Sequence, residues 1–174
     1  MSEVIDRRYV DFTVIKEDWN TYELDEGVTL KNRFILKKII RCAKSDGDAS
    51  YSIETTTAAT AFAPNFKGKP ATKSYSVAEL NDSIVNEDVK VIKEHESWNE
   101  YSLEDGTKLL IKNNLTQIAK TDKFDREGEP LYMTRFTPLI KAKIPPKLRE
   151  ELKKMSERPP SQEQGHSTFT LRES

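Results

Sequence analysis

Chemistry-bearing side chains are scarce in this chain: 174 residues include one cysteine, Cys42, and two histidines, His95 and His166. A lone cysteine excludes an intramolecular disulfide, and on the apolar parity of an expected strand it reads as a buried, inert thiol. Neither histidine stands at the spacing that zinc sites use, so no metal is expected. The six glycines are scattered singly, without GxGxxG or GxxxxGK[ST], which removes a phosphate-cradling loop. Charge of one sign is also missing, since 28 basic residues meet 29 acidic ones. No whole-molecule field therefore recruits nucleic acid or an anionic membrane. No stretch approaches the roughly 18 apolar residues of a membrane span, and no apolar leader-like run opens the chain. The expectation is a soluble protein of a reducing cytoplasm. A charged fraction of 33% and a mean hydropathy of −0.71 mean that core residues are few and that part of the chain supplies none.

What the chain does have is a repeat. WNTYELDEG at residues 19–27 returns as WNEYSLEDG at residues 98–106, an offset of 79 that continues through Leu30/Leu109, Leu36/Leu115, Ile39/Ile118 and Arg41/Lys120. Upstream, VIKE at residues 14–17 returns at 91–94 with an offset of 77, so the second copy carries two extra residues before its tryptophan. Duplication of one β-unit is the simplest reading.

Residues 1–8 are polar and read as frayed. Residues 9–15 are β-branched and aromatic and read as a first strand. Residues 24–28 and 103–107 have the composition of hairpin loops closed by Gly27 and Gly106. Residues 29–44 place Leu30, Phe34, Leu36, Ile40 and Cys42 on one parity and Lys31, Arg33, Lys37 and Arg41 on the other, the mark of a long half-buried strand. Threonine and alanine over 51–62, and the apolar run 131–137, read as the next strand of each copy. The expected layout is thus a first β-repeat at 9–64, a linker with a short helical turn at 65–88, a second β-repeat at 89–144, a short helix at 145–155 and a disordered tail at 156–174. The linker turn rests on a capping box from Ser76 to Glu79. The helix rests on Pro145 and Pro146 at its start, with Leu148, Leu152 and Met155 on one stripe. The expected fold is mainly β, as two tandem small SH3-like barrels or as one barrel or sandwich built from two half-barrels.

If Tyr22 pairs with Leu30, then Asn20, Tyr22 and Leu24 share a face with Val28, Leu30 and Asn32, and Trp19 lies on the other face beside Arg33. The second copy places Trp98 beside Lys112 in the same way. An exposed tryptophan next to a cation suits stacking on a base or on a partner's planar group. Burial of both rings is the competing reading, and a one-residue slip of register would produce it. Residues 31–44 carry six basic side chains and no acid, as a phosphate-tracking surface requires. The strand before them is acidic, and charge pairing across the hairpin accounts for the same pattern. Asp25, Glu26, Glu104 and Asp105 fall on loop tips, where solvent keeps carboxylates ionised, so acid–base catalysis is not expected. The candidate binding residues are Trp19, Arg33, Lys37, Arg41, Trp98 and Lys112, with no catalytic residue, cofactor or metal. The expected function is a non-enzymatic module that binds a protein partner or self-associates, the alternative being a nucleic-acid binder.

Overall fold

The computed structural model describes residues 3–65 and 67–157. Four glycine-closed hairpins dominate it. Strands β3 (Asn20–Leu24) and β4 (Thr29–Lys44) are joined by a turn in which the Gly27 N–H donates to the Leu24 carbonyl, and β8 (Asn99–Leu103) and β9 (Lys108–Phe124) are joined by the same turn at Gly106. The φ of Gly27 is 82° and that of Gly106 is 89°. A side chain at either place would strain the backbone, which is why the repeat keeps its glycine. The register is the expected one, with Tyr22 opposite Leu30 and Tyr101 opposite Leu109. Asn20, Tyr22, Leu24, Val28, Leu30 and Asn32 are all buried as a result.

Strands β5 (Ala49–Phe62) and β10 (Pro130–Lys143) return antiparallel along β4 and β9. At this point the two halves of the chain exchange strands. β2 (Phe12–Lys16) pairs with β8, and β7 (Val91–His95) pairs with β3. β1 (Val4–Tyr9) lies against the far end of β4, and β6 (Ile84–Asn86) against the far end of β9. The outcome is two five-stranded sheets of matching order, β1-β4-β3-β7 with β5 on β4, and β2-β8-β9-β10 with β6 on β9. Neither sheet closes on itself. The expected SH3-like barrels, tandem or merged, are therefore not what the strands form: each half hands its β2- or β7-type strand to the other, where it becomes an open edge.

The apolar clusters mix the two halves as well. Val10, Leu36 and Ile39 pack with Tyr101, Leu103, Leu109 and Ile111, while Tyr22, Leu24, Val28 and Leu30 pack with Val89 and Ile118. Each fully buried aliphatic chain contributes about 1.5–3 kcal/mol, so separating the halves would expose most of what stabilises either.

A β-bulge interrupts each long strand. Lys37 is the extra residue between the Leu36–Thr55 and Lys38–Glu54 pairs, and Thr116 is its counterpart between the Leu115–Phe136 and Gln117–Arg135 pairs. One extra residue reverses the facing of all that follow. Ile39, Arg41 and Ala43 therefore point inward, in place of Ile40 and Cys42, which strict alternation puts there. Residues 4–8, which read as frayed, form most of β1 along the second half of β4.

Two segments cap the assembly. α1 (Val77–Asn81) carries the expected capping box between Ser76 and Glu79. Before it, the Gly68 N–H donates to the Gly128 carbonyl at 2.9 Å, and a Cβ on Gly68 would fall 2.4 Å from the Phe124 ring, so only glycine lets the linker seat there. α2 (Pro146–Glu157) buries Leu148 and Leu152 against Ala43, while Met155, expected on the same stripe, stays largely exposed. Of the tail read as disordered, residues 158–174 lie outside the described residues, as does His166. No helix among the described residues is long and apolar enough to cross a membrane.

Candidate interaction surface

A few of the charged residues that the repeat carries turn inward. Arg41, only 2% exposed, meets the Asp105 carboxylate of the opposite hairpin tip at 3.1 Å. The Tyr51 hydroxyl donates to the same Asp105 oxygen at 2.8 Å and lies 2.8 Å from the Thr107 hydroxyl. Offset through the repeat, Lys120 meets Glu26 at 2.8 Å, and the Tyr132 hydroxyl donates to Glu26. Each half thus inserts a hairpin-tip acid between a cation and a tyrosine of the other half. Burial raises the Tyr51 and Tyr132 hydroxyls far above their usual range, and their carboxylate partners add to it, so both remain donors. Burial also pushes Asp105 upward, but hydrogen bonds from the Thr107 N–H, Tyr51, Thr107 and Arg41 outweigh it and hold the carboxyl below its ordinary range.

A second reciprocal set stands next to the first. Glu17 accepts from the Tyr101 hydroxyl at 2.8 Å and from the Leu36 N–H at 3.3 Å, and it meets Arg33 at 3.5 Å. Glu96 takes the same position in the other half, accepting from the Leu115 N–H at 3.4 Å with Lys112 beside it. There the fit is looser: the Tyr22 hydroxyl and Glu96 Oε2 are buried without closing a hydrogen bond. Burial, reinforced by Glu94, raises the Glu96 carboxyl, while the Leu115 N–H and Lys112 pull against the rise. Asn20 accepts from the Ser97 N–H at 3.0 Å and Asn99 from the Asp18 N–H at 3.1 Å, which fixes the chain entering each exchanged hairpin.

The six expected binding residues are accordingly dispersed. Arg41 is a buried member of the lock rather than a surface cation, because the bulge at Lys37 reverses its facing. Lys37 itself pairs with Glu54 at 3.0 Å on the surface. Arg33 is turned to Glu17, and Lys112 lies near Glu96. The tryptophans hold to the expected face. Trp19 is 42% exposed, one step past the Asn20–Asn32 pair and so beside Arg33. Trp98 is half-buried one step past the Asn99–Ile111 pair, in line with Lys112 and, across the next strand, with Leu139. The Lys141 ammonium lies 4.6 Å from the Trp98 ring centre, a cation–π contact. Sequence spacing missed Leu139, Ile140 and Lys141, since the apolar run at 131–137 gave no sign that β10 continues to residue 143. It also missed the locks, although Arg41/Lys120 and the hairpin-tip acids Glu26/Asp105 stand at the same offset of 79 and could have drawn attention to them.

The outer face of the second sheet thus presents Trp98, Lys112 and Leu139 in one row, with Lys112 between the two apolar side chains, Lys141 over the Trp98 ring and Ile140 exposed on the same strand as Leu139. Among the described residues, no three of His, Cys, Asp or Glu come together to hold a metal ion. The surface grooves are open; one of about 530 Å³ is lined by Glu94, His95, Glu96, Lys112, Asn114 and Leu115. Compared with protein-family models, curated proteins and solved structures, the chain finds no match.

Proposed function

We propose that this chain is a non-enzymatic β-sheet binding module, an internal duplication whose two halves interlock to present one rigid face to a protein partner. The observation that carries the reading is the row Trp98–Lys112–Leu139 on the outer face of the second sheet, two apolar side chains flanking a lysine with Lys141 over the indole. Central aromatics ringed by polar groups are the usual anatomy of a protein-binding patch. The described carboxylates best placed for acid–base work, Asp105, Glu26 and Glu17, are engaged in holding the halves together, which supports a structural rather than a catalytic use of them. The repeated nonapeptide, the matched bulges and the matched strand orders support the duplication.

The test is an affinity capture from cells that produce the chain, comparing wild type with Leu139→Glu and Trp98→Ala. A partner retained by the wild type and lost by both variants would support the reading. Capture unchanged by either variant would overturn it. The alternative reading, a nucleic-acid module, is favoured by Lys112, Lys141 and Lys143 flanking Trp98. It has its own readout: anisotropy of a labelled single strand should then rise on mixing and fall steeply with salt.

A further inference from the structure

Strands β5 and β10 occupy the same place in the two sheets, each pairing on one side only with the long strand beside it. β10 comes near β5 without forming a ladder with it. Their free edges are treated in opposite ways. β10 is interrupted by Pro138 and carries Arg135, Lys141 and Lys143. A proline and charges are means by which proteins stop an open edge from pairing. β5 from residue 55 to residue 62 reads TTTAATAF, with no charge, proline or glycine. Its register against β4 is unbroken from the Leu36–Thr55 pair to the Thr29–Phe62 pair. Thr55, Thr56, Thr57, Ala59 and Thr60 are exposed. The other free edges are guarded by brevity or charge: β2 and β7 have five residues each, with Lys16 in one and Lys93 and Glu94 in the other.

We infer that the free edge of β5 is a self-association site, at which β5 of a second copy of this chain pairs antiparallel about a two-fold axis. A row of unpaired backbone N–H and C=O groups specifies a strand as its occupant. Charge selects the copy, because the seven residues 55–61 align on themselves in reverse without setting one charged side chain against another. In an antiparallel ladder, facing residues point their amides the same way, so the axis passes through a residue. The middle of residues 55–61 is Ala58. That register sets Thr56 against Thr60 and Thr57 against Ala59, pairs of small β-compatible residues that close without a clash. Seven residues span about 24 Å at about 3.4 Å per residue. Such a ladder is smaller than the standard interface of about 1,600 Å², so the product is a reversible dimer rather than a permanent one.

The test is sedimentation velocity on the full chain from about 1 to 300 µM, a range that covers weak interfaces. The wild type should shift from monomer to dimer. Thr56→Lys with Thr60→Lys, and separately Thr56→Glu with Thr60→Glu, should each stay monomeric, and an equimolar mixture of the two variants should regain the dimer. A wild type that stays monomeric throughout, variants that dimerise like it, or a mixture that remains monomeric would each overturn the inference. Should either double variant misfold by circular dichroism, hydrogen exchange of the wild type decides: the amides of residues 55–61 should slow at high concentration, and no change there would sink the idea. The Trp98 face is a separate surface. Trp98→Ala should dimerise as the wild type does, so this inference and the partner reading fail independently.

Discussion

The Arg41 guanidinium and the Asp105 carboxylate, 64 residues apart in sequence, stand 3.1 Å from each other with only 2% of either side chain exposed. Breaking a buried pair leaves an uncompensated charge, which costs about 3–5 kcal/mol. Asp105→Asn should lower the urea midpoint accordingly at pH 7. Because the folded carboxyl titrates below its ordinary range, its contribution is present above the usual aspartate value of about 3.9 and is lost as pH falls through the folded value. The gap between wild type and variant should therefore narrow towards pH 3. A gap that stays constant with pH would show that the ionised form of Asp105 is not what stabilises. Glu26→Gln, acting on the more exposed lock with Lys120, should cost about 1 kcal/mol.

Glu96 should behave in the opposite sense. Its carboxyl is raised, first by burial, so the folded state favours the neutral acid, and the stability it confers is present below the ordinary glutamate value and lost as pH rises through the folded one. Glu96→Gln should equal or exceed the wild type in thermal midpoint at pH 7 and lose that advantage near pH 4. A variant less stable at pH 7 than at pH 4, relative to wild type, would contradict this.

Lys37 is the residue that the bulge accommodates. Lys37→Ala removes an exposed ion pair with Glu54 and should cost less than about 1 kcal/mol. Deleting Lys37 removes the bulge and brings Leu36, Ile39, Arg41 and Ala43 into one unbroken alternation, so Arg41 should stay inward and the cost should remain below about 2 kcal/mol. A loss of more than about 4 kcal/mol on deletion, read by chemical denaturation, would refute Lys37 as the extra residue of the strand.

The tryptophans separate surface from core. Trp19→Ala should cost about 1 kcal/mol and Trp98→Ala about 2, short of the range of about 3–5 for a buried aromatic. Urea unfolding followed by circular dichroism avoids the lost fluorophore. A loss of 3 kcal/mol or more at Trp19, above the lower end of that range, would place its ring in the core.

The sequence was most legible where contacts are local. The Tyr22–Leu30 and Tyr101–Leu109 registers follow from alternation either side of a glycine turn, and the faces of Trp19 and Trp98 follow from them. Arg41 was misplaced because a bulge leaves no mark on the parity count of a single strand: Leu30 to Leu36 and Ile39 to Ala43 each alternate correctly, but out of phase. The exchange of β2 and β7 was hidden for a different reason. Phe12 opposite Leu103 and Val91 opposite Leu24 are pairings between distant segments, and no local propensity distinguishes them from pairing within a half. Asp105 looked solvated for the same reason, since the side chains that bury it come from the other half.

The exchanged strands also set a clock during synthesis. β3 is complete at Leu24, but its outer neighbour begins only at Val91, and β2 waits longer still for β8. At about 5–20 residues per second, the intervening roughly 70 residues take about 4–14 s to emerge. From the completion of β5 at Phe62 until Val91 emerges, a nascent chain holds a finished β3–β4–β5 hairpin set with two unsealed edges, one awaiting β7 and the other the uncharged margin of β5. On a polysome, neighbouring chains are in this same condition together, so the seconds before β7 emerges are when strands of different chains are most exposed to one another.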